Sequence, residues 1–399
     1  MAVWGLLSLV AAVAGCGGDG DRGEAVYGRP LAAQLRAAVA ETRAAGTGAF
    51  TATVEYHSPS TTARHRTTGT VDFARGTARA ELTREVPPDF PVDAVPRLDQ
   101  DGGGRPQTLA AAGPDVFARG ADGVWLRFDP AAREALDPKG RAPVSRHAPG
   151  RFLPLGGTLA ELVATAVPRR EPLRRKDGAR EYAVSVPLGD AHDLLPLRPP
   201  KPTGGAYLRE RLPLTVVLDP DGRLLSADLD MLVLLEQLNG GPQSQRGLPG
   251  VTGLRATFRF DSLGEPAGAA APPAAVPAAG AVTELRGRPR GTCAVPAAGL
   301  DAPGRVRTVD CAARHTMRVF AAASTPDADR TTAARYVEQT CDGPYAALPA
   351  AWKRGAEEPY GHLLTIRQGS FRFRFDAAGR PVGPPPKLAM GVVCYVSTP

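Results

Sequence analysis

Residues 213–231, PLTVVLDPDGRLLSADLDM, consist of two aliphatic segments separated by a four-residue turn signal. The segments 214–218 and 223–231 are long enough for strands, and residues 219–222 (DPDG) combine the residue types that favour tight turns. This pattern predicts a β-hairpin. The fold is therefore expected to be built from antiparallel strands joined by short turns.

Outward from this hairpin, the sequence repeats the strand pattern. Residues 49–56 (AFTATVEY) alternate apolar and polar side chains, which is typical of a half-buried antiparallel strand. Similar segments predict strands at 67–73, 77–82, 115–118, 124–128, 181–186 and 254–260. Apolar residues at helical spacing predict helices at 30–45 and 158–167; Thr158 and Glu161 of the second have capping-box spacing.

The composition is typical of a folded, turn-rich chain of two or three domains. The chain has 399 residues, 43% of them hydrophobic, with 45 glycines and 40 prolines. A formal charge of +7 suits a negatively charged envelope surface. The basic residues are too scattered to indicate nucleic acid binding. Beyond the N-terminus no segment approaches eighteen apolar residues, so no membrane span is expected after processing.

The N-terminus predicts export and lipid attachment. Residues 4–14 form an apolar run of eleven, too short to cross a bilayer and suited to a signal-peptide core. Residues 13–16 (VAGC) resemble the bacterial lipobox, which implies cleavage after residue 15, a diacylglycerol on Cys16 and a tether at 16–29. The chain is then anchored to the extracytoplasmic face of the cell membrane. No Lys or Arg precedes the apolar run, and the alternative is an ordinary cysteine in a short apolar N-terminus.

The other four cysteines all lie in the last 107 residues: Cys293, Cys311, Cys341 and Cys394. Four cysteines in one exported segment indicate two disulfides, for which three pairings are possible. A zinc site is the alternative, but the C-x2-C spacing of structural zinc is absent. The cysteine-free part and an Ala/Pro/Gly-rich segment predict a domain at 30–263, a linker at 264–290 and a second domain at 291–399.

The first domain resembles a known protein family. The features that carry this resemblance are the lipobox, the helix at 30–45 and the hairpin at 213–231. Residues 30–263 resemble the actinobacterial lipoproteins of the LppX/LprG type, which are related in shape to the carrier LolA. The resemblance implies an α+β fold in which a curved antiparallel sheet, a half-barrel, wraps around helices and can hold a lipid.

The second domain carries a different resemblance. Its segments 291–293 (GTC), 309–315 (VDCAARH) and 392–395 (VVCY), with Cys341 at a helix end, are similar to the septum-formation family. Arg314 stands where a proline is common in that family. Chain order and this resemblance imply the pairs Cys293–Cys311 and Cys341–Cys394 and a small disulfide-stapled α+β domain.

Inward-facing apolar residues of the first domain are the candidates for a ligand cleft. They are Phe50, Val54, Phe73, Trp125, Leu159, Leu162, Val184, Val216 and Leu229. The same residues would also serve a filled core without a ligand. No nucleophile elbow or phosphate loop occurs in the sequence, so catalytic residues, cofactors and metals are not expected.

These observations predict a non-catalytic lipoprotein that binds or carries a lipid at the cell envelope. The alternative is a protein-interaction module linked to envelope or septum assembly. Residues 169–170 and 174–176 form a basic cluster after the second predicted helix, with two interpretations: a contact with anionic lipid headgroups or a solvated loop.

Overall fold

A computed structural model describes residues 23–91, 94, 106–140, 142–147, 152–155, 159–192, 194–195, 209–240, 247–265, 268, 272, 274–300, 302, 304–328, 333–353, 360–368, 374–375, 381–382 and 388–397. Cys16 and the predicted signal peptide lie outside these ranges, as do residues 16–22 of the predicted tether.

The helices are α1 Glu24–Tyr27, α2 Leu31–Ala44, α3 Pro130–Leu136, α4 Pro143–Arg146, α5 Leu159–Val163, α6 Leu188–His192, α7 Leu232–Asn239, α8 Ala278–Ala281, α9 Ala333–Ala346 and α10 Ala350–Lys353. The strands of the first sheet are β1 Thr47–His57, β2 Thr62–Asp72, β3 Thr77–Glu85, β4 Gln107–Ala112, β5 Asp115–Arg119, β6 Trp125–Phe128, β7 Val167–Pro168, β8 Leu173–Arg174, β9 Arg180–Pro187, β10 Arg211–Leu218, β11 Leu224–Asp230, β12 Gly253–Leu263 and β13 Val276–Pro277. The remaining strands are β14 Val282–Glu284, β15 Cys293–Pro296, β16 Arg305–Val309, β17 Met317–Ala328, β18 Gly361–Gln368, β19 Arg374–Phe375, β20 Pro381–Val382 and β21 Leu388–Ser397.

The first unit is a large, curved and unclosed sheet with helices on its inner face. Its strand order is β13-β6-β5-β4-β3-β2-β1-β12-β11-β10-β9-β7, and β8 also pairs with β9. All pairs are antiparallel except β13 with β6. The predicted α+β class, with a curved antiparallel sheet followed by a small disulfide-bonded unit, is confirmed.

The hairpin predicted at residues 213–231 is present as β10 and β11. Leu214 pairs with Leu229, and the turn is closed by the Gly222 amide donating to the Asp219 carbonyl at 2.9 Å. Asp219 also accepts from the backbone and side chain of Arg223, each at 2.8 Å. Gly222 has φ +80°, which a residue with a side chain adopts only with strain.

The inner face of the sheet carries the main apolar core. Alternate residues of each strand point to this face, so Phe50 and Tyr56 of β1 and Phe258 of β12 are buried there. The Phe50 ring lies over Gly69 of β2, where a Cβ would approach the ring to 2.9 Å. Helix α2 closes part of this face through Leu35 and neighbouring alanines.

Two predicted segments differ from the structure. Residues 24–27 of the predicted tether form α1, which docks on the sheet because Val26 is fully buried. The helix predicted at 158–167 ends at Val163, and Val167–Pro168 pairs with β9 instead. Glu161 accepts from the amides of Phe152 and Leu153 at 3.0 and 2.7 Å, and its predicted capping partner Thr158 lies outside the described residues.

The second unit is a six-stranded sheet of order β14-β16-β15-β17-β21-β18, with α9 packed on β17 and β21. Disulfides join Cys293 to Cys311 and Cys341 to Cys394, the pairing that the septum-family resemblance implied. The first bond joins the start of β15 to the segment that follows β16, and the second joins α9 to β21.

The described part of the predicted linker contributes to both sheets. Val276–Pro277 pairs with β6 of the first sheet, and Val282–Glu284 pairs with β16 of the second. A shared apolar cluster includes Leu126 and Phe128 from the first unit and Leu300 from the second. The domain boundaries remain a prediction, and the structure adds that the two units pack against each other.

Candidate functional site

A cavity of about 80 Å³ lies between the inner face of the first sheet and the segments that cover it. Strands β1, β2, β3 and β12 form its wall, and α4, α5 and the segment after α6 form its cover. The residues that line it are Ala52, Thr53, Val54, His65, Arg66, Thr67, Leu82, Thr83, Arg84, Arg146, His147, Leu159, Leu194, Ala256 and Thr257.

Strand register brings the apolar part of this wall together. Val54 of β1 lies opposite Ala256 of β12, and Thr67 of β2 lies opposite both Ala52 and Leu82. Directly paired residues share a face of an antiparallel sheet, so these side chains point to the same side. Because most of them are small, the wall leaves a space below the cover.

The other end of the cavity is polar and cationic. His65 pairs with Val54 on one side and with Arg84 on the other, and Tyr56 packs edge-on to the His65 ring at 5.2 Å. Arg146 and His147 extend from the cover toward this end.

Burial and the nearby arginines shift the pKa values of His147 and Tyr56 at this end of the cavity. Burial, and then the guanidiniums of Arg146 and Arg84, together lower the pKa of His147 from 6.5 to about 3. Burial likewise raises the pKa of Tyr56, against the opposite effect of the two arginines. A neutral imidazole beside two permanent cations is therefore the stable form at neutral pH.

Most of the remaining inner face is filled by side chains. Phe50, Phe258, Phe260, Phe152 and Phe73 form a chain of ring contacts with centroid distances of 5.0 to 6.2 Å between neighbours. Among the described residues, the predicted cleft therefore corresponds mainly to a packed core beside the cavity.

The predicted cleft residues divide into three groups. Val54 and Leu159 line the cavity. Six belong to the packed core or its margin: Phe50, Phe73, Leu162, Val184, Val216 and Leu229. Trp125 lies on the outer face, with the Arg79 guanidinium 5.5 Å from its ring centroid. It points outward because the inner face of β6 is occupied by its neighbours Leu126 and Phe128.

The polar end of the cavity is absent from the residues predicted to line the cleft. His65 and Arg84 are equally far from the tight turn that joins Asp72 to Thr77, so an assumed hairpin register would have paired them. Arg146, His147 and Leu194 come from short covering segments, which have no comparable local signal.

Metal binding finds no support in the part of the chain that the structure describes. No group of three or more His, Cys, Asp or Glu side chains there could hold a metal ion. Asp219 and Asp221 each form an ion pair with Arg223, at 2.8 and 2.7 Å. Among the described residues, no helix is both long and apolar enough to cross a membrane.

Comparisons with known proteins find only distant structural matches. No family model and no curated protein matches the chain. The lipoprotein LppX of Mycobacterium tuberculosis is 12% identical, with a TM-score of 0.29 over 59% of this chain and 98% of LppX. A chain of the Pseudomonas aeruginosa MucA/MucB complex is 12% identical, with a TM-score of 0.26 over 92% of this chain and 94% of that one.

A third similar structure is a putative outer membrane lipoprotein-sorting protein domain from Vibrio parahaemolyticus. It is 9% identical, with a TM-score of 0.20 over 56% of this chain and 89% of that domain. With TM-scores below 0.5, these similarities carry no argument.

Proposed function

We propose that this chain is an envelope lipoprotein that binds a hydrophobic ligand, the acyl chain of a lipid, between the curved sheet and its cover. The observation that carries the proposal is the cavity beside Val54, which has an apolar wall and a cationic end. Each methylene that leaves water for such a wall contributes about 0.8 kcal/mol. A lipid tail therefore gains most binding free energy at the apolar wall, and the polar end of the lipid meets Arg84 and Arg146.

The size of the cavity requires the cover to move. Ligand pockets commonly hold about 300 to 1,000 Å³, several times the 80 Å³ present here. The end of an acyl chain fits the existing space, and a longer portion enters only if the cover moves away from the sheet.

The cover is the part that can yield. Its helices α4 and α5 have four and five residues, and helices this short have little stability of their own. Two hydrogen bonds hold the backbone of Phe152. The Arg43 guanidinium donates to its carbonyl at 3.2 Å, and Glu161 accepts from its amide at 3.0 Å. The wall strands β1 and β2 instead form eleven consecutive antiparallel pairs, so the wall keeps its shape when the cover opens.

Lipidation of Cys16 after removal of residues 1–15 would hold this site at the extracytoplasmic face of the membrane. Binding rather than catalysis is the proposed activity. An LppX/LprG-type role for the first unit and a septum-family relationship for the second are parts of the same proposal.

Native mass spectrometry of residues 17–399, secreted in soluble form, tests the proposal. We expect excess mass that matches a lipid and disappears on denaturation. Ala52→Leu adds three carbon atoms to the cavity and should abolish the excess mass. Thr51→Leu, on the adjacent outward-facing position, is the matched control and should retain it. A bare polypeptide mass in repeated preparations, or equal retention by both variants, contradicts the proposal.

A second candidate function, protein interaction, is favoured by β18. This strand forms one end of the second sheet, and Leu364 on it is 37% exposed. A partner strand could add to such an edge through backbone hydrogen bonds. Capture of an envelope protein by the full chain, lost on replacing Leu364 by Lys, would support this function, and undiminished capture by that variant would count against it.

A further inference from the structure

Six exposed residues lie in and around β7 and β8 at one edge of the first sheet. We define the basic edge as Val167, Arg169, Arg170, Leu173, Arg174 and Lys176, all of them exposed. We propose that this edge contacts the headgroups of anionic lipids in the membrane that carries the chain.

The apolar part of the basic edge consists of Val167 and Leu173, each 53% exposed. Val167 pairs with Ser185 and Leu173 with Glu181 on the same neighbouring strand, β9. Ser185 and Glu181 are four residues apart, so the two apolar side chains lie on one face of that strand. Two aliphatic side chains on one exposed face can enter the headgroup region together.

The charge of this segment is strongly one-sided. Residues 167–181 contain six cations and three acids. Glu181 is engaged by Arg175 at 2.5 Å, and the Arg180 guanidinium lies 3.6 Å from the Tyr27 ring centroid. The four cations of the basic edge remain exposed beside the two aliphatic residues. Each cation of such a cluster raises its affinity for an anionic membrane surface roughly fivefold.

The N-terminal segment indicates which way this edge faces. Gly23 lies against the carbonyl of Pro220, and Gly178 lies against the ring of the same proline. The start of the described chain and the β8–β9 turn, which contains Gly178, therefore meet at one corner of the sheet. Cys16 precedes Gly23 by seven residues, which span at most about 25 Å.

A lipid on Cys16 would place the membrane within that distance of this corner. The inference uses the proposed anchor only for this orientation and is independent of ligand binding in the cavity. Four cations, two aliphatic residues and a nearby anchor favour a membrane surface over a folded partner.

Vesicle sedimentation with residues 17–399, which lack the anchor, tests the inference. We expect binding to vesicles of phosphatidylglycerol and phosphatidylcholine, loss of binding to phosphatidylcholine alone, and weakening at about 0.5 M salt, where exposed charges are screened. Replacing Arg169, Arg170, Arg174 and Lys176 by Ser should lower the partition coefficient about 100-fold or more.

The matched control replaces four exposed arginines elsewhere, Arg119, Arg127, Arg290 and Arg314, by Ser and changes net charge equally. It should lower the partition coefficient less than tenfold. An equal loss in both variants would show that only net charge matters and would overturn the inference, as would absence of wild-type binding. Retained lipid in native mass spectra of the basic-edge variant separates failure of this surface from failure of the cavity proposal.

Discussion

The polar end of the cavity makes the stability of the first unit sensitive to acid through His147. In the folded chain, burial and then the neighbouring Arg146 and Arg84 lower the pKa of His147 to about 3, whereas an unfolded histidine has a pKa near 6.5. Between these two values the unfolded chain binds a proton that the folded chain does not. Protonation therefore favours unfolding, and the stability present above about pH 6.5 is lost as pH falls toward 3.

The size of this effect follows from proton linkage. With these two pKa values, the free energy of unfolding at pH 5 is lower than at pH 8 by about 2 kcal/mol. The side chain of His147 keeps partial contact with solvent, which screens the neighbouring charges, so about 1 to 2 kcal/mol is expected.

Urea denaturation at pH 5 and pH 8 measures this difference. His147→Gln removes the titrating group and should reduce the difference between the two pH values by about 1 to 2 kcal/mol relative to wild type. His362→Gln, which changes an exposed histidine of the second unit, should leave the difference unchanged. If His147→Gln and wild type lose the same stability between pH 8 and pH 5, the assignment of acid sensitivity to His147 is wrong.

Two further predictions concern the second unit and its junction with the first. The Cys341–Cys394 bond closes a 53-residue separation, so replacing both cysteines by Ser should lower the stability of the second unit by about 4 kcal/mol in thermal melts; an unchanged melting temperature would refute this. Arg307 of the second unit forms an ion pair with Asp122 of the first, whose side chain is only 8% exposed. Arg307→Met leaves that carboxylate without its partner and should lower the free energy of unfolding by about 1 to 3 kcal/mol. Adding Asp122→Asn should restore most of that stability, and no recovery would show that the pair is not the cause.

The hairpins of this fold are readable from sequence because their causes are local. In β10 and β11, a turn with Gly222 at positive φ fixes the register, and alternating side chains then decide which face is buried. The same alternation identified Phe50 and Val54 as inward-facing. It gave the wrong face to Trp125, because a four-residue strand offers too few positions to set the phase of the pattern.

The cover of the sheet is less predictable because its causes are tertiary. Helix α5 is shorter than its apolar pattern indicated, since Val167 gains a strand partner in β9. Helix α4 has four residues and is positioned by Val144, whose amide donates to the Gly299 carbonyl of the second unit at 3.2 Å. No local pattern in either segment encodes these partners.

The cavity lowers the stability of the folded chain, so filling it with a side chain tests the ligand proposal by its effect on stability with and without lipid. An enclosed space of 80 Å³ would cost about 2 kcal/mol of stability, and this space costs less because it is partly open to solvent. Ala52, Thr67 and Ala256 leave it open, and one leucine at position 52 recovers part of that energy if it fits without strain. If the space is only a packing defect, Ala52→Leu raises the melting temperature whether or not lipid is supplied. If it is the ligand site, the same variant is more stable than wild type when both are empty, and it loses the additional stabilisation that bound lipid gives to wild type.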